Sequence, residues 1–515
     1  MLFSGAVAEG LTRSNPDIVK ALRRWSENPQ DSALVSKLEK DETLKTILLS
    51  ATPWVSDALT QTQRMQRLVL LLDPANARRT IKGGIDLLAK TVASGGGWSW
   101  TASYPEVSLW CTQQILDMIG DLERLGWTPD DKRLTEMTEN ALKYLDREMA
   151  AQYAKYPKGD YSLYCYTRSK FATPAPSTAA RRVINATVQR MVADWRNHDV
   201  ARKAVDVLVL HANGYSATCG TILASLREYA TVSSEKGMWW PQLQGYSYMS
   251  FPQVALTALV LDAFHTVEPR CEDVEKIRQW LILNKVNNEW GASVATTQVV
   301  ASILTSGSLT LAPKSGTAIR IDDRLIEPAR TEYATGAFTE PVTDMVRSGG
   351  TLTIDRQGDY PSVGGVVMMR VLPMDEVKAA SSGEVKVDKT LSVFNGSEWV
   401  PASSFKVGDK VKVTLTVKAS EAVSYVVIQD LRAAGLEPVS QLPTPIWADG
   451  LCFYRENGDS QTNLYIRDLP RGNYVIEYDL FATQAGSFAS GVAQLQSLYN
   501  PVITAHSGGM MIRID

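Results

Sequence analysis

Near residue 308 the hydrophobic pattern of this chain changes period. Before it, apolar residues return at three and four positions in runs long enough for helices. After it they alternate in short runs bounded by glycine, proline and aspartate, which is strand composition. A chain that changes period once, and for good, folds as a helical part followed by a β part. At 515 residues it is also too long for one ordinary core. We therefore expect a multidomain protein: an all-helical domain over residues 1–308, a small β domain over 309–377, and an antiparallel β-sandwich over 378–515.

The helical part is organised around residues 95–127, GGGWSWTASYPEVSLWCTQQILDMIGDLERLGW. Ile115, Ile119, Leu122 and Leu125 form one apolar stripe, so residues after the loop read as a helix with one buried face. Trp98 and Trp100 lie in a segment too rich in glycine for a helix, and both are expected to be buried plugs. The unit recurs with Gly237, Trp239 and Trp240 before a helix carrying Val254, Leu256, Leu259, Val260 and Phe264, and again with Trp290 and Gly291 before Val299, Val300, Ile303 and Leu304. Helical hairpins set side by side, closing into a ring, are the expected result.

Between these copies, Ser14–Asn15–Pro16 starts a second helix, residues 34–50 read as another that Pro53 interrupts, and Thr128–Asp131 caps one running to about residue 150. Tyr153, Tyr156, Tyr161, Tyr164 and Tyr166 are interleaved with Lys155, Lys158 and Arg168. That mixture reads as a structural loop with rim tyrosines, or as a ligand surface.

In the β part, Ile319 with Ile321, Leu352 with Ile354, and Val366, Met368, Arg370 and Leu372 sit two apart. Residues 378–384 read as a linker. VKVDKTLSVF then sets Val385, Val387, Lys389, Leu391 and Val393 on one face, and KVKVTLTVKA does the same with Val411, Val413, Leu415 and Val417. SYVVIQD, NLYIRDL and NYVIEYDLFAT add strands, with Pro470–Asn473 as a tight turn.

Little in the chain points to chemistry. The 53 basic and 56 acidic residues nearly cancel, so no nucleic-acid partner is expected. No window is long and apolar enough to span a membrane, and MLFSGAVAEG does not read as a signal peptide. Cys111, Cys165, Cys219, Cys271 and Cys452 lack paired short spacing and read as free thiols. His198, His211, His265 and His506 form no ligand or triad pattern, and Asp130–Asp131 and Asp322–Asp323 read as caps or turns. There is neither a phosphate loop nor a G-x-S-x-G serine. Cys111-Thr112-Gln113-Gln114 has the separation of a thioester pair, but a buried cysteine at the start of an apolar helix explains it more simply. We nominate no catalytic, cofactor-binding or metal residue, expect no cofactor, and expect no enzyme.

Several local motifs carry a resemblance. IQDLRAAGLEPVSQL (428–442), NLYIRDLPRGNYVIEYDLFATQAGSFASG (463–491) and LQSLYNPVITAHS (495–507), with WTASYPEVSLW and ANGYSATCG, resemble the C-terminal portion of a bacterial alpha-2-macroglobulin family protein of the Bacteroidetes type. The resemblance implies a thioester-domain-like alpha/alpha toroid for 1–308, a CUB-like β domain for 309–377 and a terminal macroglobulin, receptor-binding-like sandwich for 378–515. It implies a proteinase trap whose bait region and Cys-x-Glu-Gln motif would lie before Met1, because LFSGAVAEGLTRSNPDIV resembles the stretch directly after that motif. Cys111–Gln114 departs from the motif by its Gln113 and sits in a different helix, so the thioester role is not carried onto it. The implied partners are proteinases and upstream macroglobulin domains, and the implied location is periplasmic or cell-envelope associated. Two other classes stand beside this one: a toroid enzyme such as a terpenoid cyclase or polysaccharide lyase, and a structural or adhesion module of the envelope.

Overall fold

We describe the protein from a computed structural model. The description covers residues 1–14, 16–28, 69–70, 72–234, 236–243, 252–285, 290, 293–307, 317–328, 338, 340–347, 349–356, 372–440, 442–498, 500 and 502–515. Helix 34–50, the strand positions Val366, Met368 and Arg370, and the loop after Trp240 lie largely or wholly outside those residues. The chain divides into two compact units, with the division at Pro361–Ser362.

In the first unit, α1 (Leu2–Ser14), α2 (Pro16–Glu27), α3 (Pro74–Thr91), α4 (Leu109–Arg124), α5 (Lys132–Lys155), α6 (Ser162–Ser169), α7 (Thr178–Asp194), α8 (Val200–Ala212), α9 (Ser216–Glu228), α10 (Gln253–Val267), α11 (Glu272–Leu283) and α12 (Ser293–Ser306) come in order. Five of the starts are set by side-chain caps: Asp73, Ser108, Asp131, Ser177 and Asp199 each accept an N–H from the first turn. Each satisfies a backbone donor that has no partner within the helix.

Alternate helices build the interior. α4 packs on α6, α6 on α8, α8 on α10, α10 on α12, and α12 returns to α4. Burial agrees: every residue of α10 from Ala255 to Phe264 is buried, as is all of α8 up to Leu210 except Arg202. A helix apolar on all sides sits inside a domain, not on its surface. α1 crosses α3 where Gly84 meets Leu2, and a Cβ at Gly84 would lie 2.8 Å from the Leu2 backbone nitrogen. Only glycine permits that approach.

Three expectations for this part need correction. The glycine–tryptophan segment of the first unit is not an irregular loop: Ser99–Thr101 and Tyr104–Val107 pair as a small antiparallel hairpin. That hairpin carries Trp100 outward, 63% exposed and stacked on Trp110 at 5.1 Å, while Trp98 is fully buried. The stripe of α4 is centred on Leu116, Ile119 and Leu122, with Ile115 and Leu125 only half-buried. The tyrosine-rich stretch contains helix α6, and Tyr161, Tyr164 and Tyr166 are core residues. A second hairpin pairs Thr231–Ser233 with Gly237–Trp239, and a three-stranded sheet holds Thr317–Ile321, Arg324–Leu325 and Leu352–Arg356, the first two of these joined at Asp322 and Asp323, which both take positive φ in the predicted turn.

The second unit is antiparallel β structure almost throughout. A five-stranded sheet runs Trp399–Pro401, Val385–Phe394, Lys410–Ala419, Gly472–Ala482, Leu436–Pro438. A seven-stranded sheet runs Thr444–Ala448, Leu451–Asn457, Gln461–Leu469, Val423–Leu431, Ala493–Ser497, Thr504–His506, Ala380–Ser381. The alternation read from the sequence is present: Val411, Val413, Leu415 and Val417 are buried between more exposed neighbours. Val387, Leu391, Val413 and Ile476 from the first sheet share one core with Val426, Ile428, Leu464 and Phe453 from the second. At about 1.5–3 kcal/mol for each fully buried aliphatic side chain, this shared core is the main source of stability.

Candidate functional site

The interior helices carry charge where the apolar pattern leaves gaps. Asp117, Asp121 and Arg124 succeed one another along α4, Lys170 caps α6, Asp262 lies on α10, and Gln298 and Ser302 lie on α12. Lys170 Nζ is 2.9 Å from Asp121 Oδ1 and 3.5 Å from Asp117 Oδ1. Arg124 Nη2 is 3.1 Å from Asp262 Oδ2 and 3.4 Å from Asp121 Oδ1. Gln298 Nε2 donates to Asp262 Oδ2 at 3.1 Å and to Ser302 Oγ at 3.3 Å. The Lys170 ammonium also stands 4.3 Å from the centre of the Tyr166 ring.

Burial opposes charge on Lys170 and Arg124, but the facing carboxylates, Asp121 for the first and Asp262 for the second, outweigh it and raise both pKa values. Both cations therefore stay charged. Burial pushes Asp117 up to about 6 against the pull of Lys170, and it raises Asp262 against Arg124. The cluster contains no thiol, hydroxyl–base pair or backbone cradle for a reacting group. Among the described residues no three His, Cys, Asp or Glu side chains are set to hold a metal. What it does is tie four helices together.

The three tryptophan units share one contact. Trp98 Nε1 donates to the Leu88 carbonyl at 3.2 Å, Trp240 Nε1 to Leu226 at 2.8 Å, and Trp290 Nε1 to Leu281 at 2.7 Å. Each acceptor lies in the last turn of the helix before the tryptophan, α3, α9 and α11, and the Leu88 and Leu226 carbonyls also accept the N–H of Val92 at 3.1 Å and of Tyr229 at 3.3 Å. The indole thus caps one helix and plugs the core with the same side chain. In the first and third units a threonine on the next helix fixes the tryptophan backbone: Trp98 N donates to Thr112 Oγ1 at 2.9 Å and Trp290 N to Thr296 Oγ1 at 3.0 Å.

Cys111 lies in the first turn of α4, where Ser108 Oγ accepts its N–H, and its Sγ faces the Ser99 carbonyl at 3.8 Å. Burial raises the thiol pKa, so it is not poised as a thiolate. Gln113 is buried and Gln114 half-buried. His198 Nδ1 pairs with Asp206 at 2.5 Å, and Asp206 also holds Arg202 at 3.0 Å. His506 Nδ1 faces the Ser507 carbonyl. Asp131 is a helix cap. Tyr164 and Arg168, from the tyrosine-rich stretch, both bond buried Asp146, at 2.8 and 3.1 Å.

In the second unit one ion pair joins the two sheets. Lys389, in phase with the valines of its strand, sets Nζ 2.7 Å from Asp430 Oδ1 and donates to the carbonyls of Leu431 at 2.7 Å and Gly491 at 3.1 Å. The two carbonyls are its hydrogen-bond acceptors, and the Asp430 contact is a close ion pair. Tyr478 Oη donates to the other Asp430 oxygen. Burial is the first cause of the raised pKa of both Asp430 and Tyr478. Sequence reading placed Lys389 on the core face without finding its partner.

These strands carry the match to a known family. Residues 385–501 match the family model of the Bacterial Alpha-2-macroglobulin MG10 domain. This region is thus similar to the MG10 domain of bacterial alpha-2-macroglobulins, and the match does not distinguish a Bacteroidetes type. No curated protein matches the chain. Among solved structures, Escherichia coli alpha-2-macroglobulin activated by porcine elastase is 13% identical, with 86% of this chain and 39% of that chain covered and a TM-score of 0.38. The trypsin-activated Escherichia coli protein is 12% identical, covering 86% and 30%, with a TM-score of 0.39. A native Escherichia coli segment from domain MG7 to the C-terminus is 13% identical, covering 86% and 68%, with a TM-score of 0.33. The chain thus spans about a third of the first two of these proteins. Likeness at these scores carries no argument alone; the MG10 match does.

Proposed function

We propose that this chain is the C-terminal part of an alpha-2-macroglobulin-like endopeptidase inhibitor, of the Bacteroidetes type that its motifs resemble, and that it is not an enzyme. The MG10 match over residues 385–501 carries the reading. The return of α12 to α4 supports an alpha/alpha toroid, thioester-domain-like, over 1–308. The residues shared between the two large sheets support a macroglobulin-type sandwich over 378–515, with a small CUB-like domain over 309–377 between. In this reading the longer protein traps a proteinase when its bait is cut. This takes place in the periplasm or at the cell envelope. Cys111–Gln114 takes no part in covalent capture.

The test is a conformational one. The longer protein that carries this chain is cut with a limiting amount of a general endopeptidase and monitored by small-angle scattering and native electrophoresis. The reading expects one bait cleavage, a change in radius of gyration and altered mobility with this chain left intact. Cleavage with no change in shape speaks against it. A stable proteinase adduct on Cys111 or Gln114 overturns the assignment of those residues as structural.

A further inference from the structure

Lys389 and Asp430 stand on strands of different sheets, Val385–Phe394 and Val423–Leu431, and meet between them with side chains only 2% and 1% exposed. Nζ lies 2.7 Å from Oδ1. A C–O bond adds about 1.23 Å, so Nζ is within about 3.9 Å of the Asp430 carboxyl carbon at any angle. Reacting atoms about 3–3.5 Å apart are poised for attack, so a small side-chain rotation brings the two into range. The neighbouring cation, Arg432, is taken by the carbonyls of Gly458 and Asp459.

The hydrogen bonds around Nζ suit an amine as a nucleophile. It donates to the carbonyls of Leu431 at 2.7 Å and Gly491 at 3.1 Å, while Asp430 Oδ1, close as it is, takes no hydrogen bond among the described residues. An amine has two N–H groups and one lone pair. With both N–H groups on carbonyls, the lone pair is left for the side that Asp430 occupies. On the other carboxyl oxygen Tyr478 Oη donates a hydrogen bond, which draws electron density from the carbon. Burial favours the uncharged acid at Asp430 against the pull of Lys389. Two charges held out of water are also costly, and an amide in their place carries none.

We propose that Lys389 and Asp430 condense after folding into an intramolecular amide, a covalent tie between the two large sheets. The ammonium passes one proton to Asp430 Oδ1. The amine lone pair then attacks Cγ and the Nζ–Cγ bond forms. The Cγ–Oδ1 bond breaks, and Oδ1 leaves as water with that first proton and a second one from the nitrogen. Oδ2 stays as the amide oxygen under Tyr478, and the one N–H that remains keeps a backbone carbonyl. No oxidant, reductant or further reactant is consumed. In bulk water such a bond does not form, but here the fold holds the ends together and the core excludes solvent. The freshly folded chain holds the ion pair, and the amide replaces it with time.

The experiment is the intact mass of the full chain, purified folded and then aged at neutral pH, followed by proteolysis and sequencing of the fragments. The wild type should become lighter than its sequence mass by one water molecule. Digestion should give a branched peptide joining residues 385–394 to residues 423–431 through Lys389 and Asp430. The same chain held unfolded in urea should keep its full mass, as should Lys389→Met and Asp430→Ala. The branched peptide separates this bond from loss of water elsewhere, for example by ring closure at Asp449–Gly450. The wild-type mass needs no variant to fold. A folded, aged wild type at full sequence mass, loss of water without the branched peptide, or the same loss in Lys389→Met overturns the proposal.

Discussion

Lys389 Nζ lies 2.7 Å from Asp430 Oδ1, and with both side chains almost fully buried this contact joins the two large sheets of the MG10-like unit. Truncating one partner strands the other charge in the core. Lys389→Met or Asp430→Ala should therefore destabilise this unit by about 3–5 kcal/mol, whereas Lys389→Met with Asp430→Leu should recover most of the loss. Amide exchange in Val385–Phe394 and Val423–Leu431 measures it. Equal exchange in single and double variants would show that the ion pair is not what couples the sheets.

Tyr478 completes that contact by donating to the second Asp430 oxygen. Tyr478→Phe keeps the ring and removes only the donor. The expected cost is about 1–3 kcal/mol, read in the same exchange experiment.

The indole contacts predict a graded tryptophan series. Trp98→Phe, Trp240→Phe and Trp290→Phe each remove a donor to a helix-end carbonyl and some core volume, for about 2–4 kcal/mol in the helical unit. Trp100→Phe should cost about 1 kcal/mol or less, because that ring is exposed and only stacked on Trp110. Thermal unfolding of the four variants ranks them.

Gly237 and Gly214 both have positive φ, but they differ in surroundings. A Cβ at Gly237 would stand 2.1 Å from the Lys276 carbonyl oxygen, whereas one at Gly214 meets nothing within 4 Å. Gly214→Ala should cost about 1 kcal/mol, from backbone strain alone. Gly237→Ala should cost well above that, because the hairpin that pairs Thr231–Ser233 with Gly237–Trp239 must lift off α11. Thermal unfolding of the two variants separates strain from the clash.

Strand alternation made most of the MG10-like unit legible. It set Lys389 on the core face of VKVDKTLSVF, but alternation cannot name a partner 41 positions away on another sheet. The helical unit was legible as helices and less so as packing. Asp117 and Asp121 fall on α4 where an amphipathic pattern expects a wet face, and only the other interior helices make that face dry. Trp100 was misjudged because residue type says how a ring packs when buried, not which side of a two-stranded hairpin it occupies. Helix α6, SLYCYTRS, is eight residues long and rich in aromatics, too short to show a helical period.

Enclosure of proteinases by the longer protein is the function we propose. It is tested most directly by saturating an endopeptidase with that protein and assaying the mixture on a protein substrate and on a short chromogenic peptide. Enclosure predicts that activity on the protein substrate falls steeply while activity on the peptide persists, since the proteinase active site is left free. Equal loss on both would mean active-site blockade, and no loss on either would mean no capture; both results contradict the account.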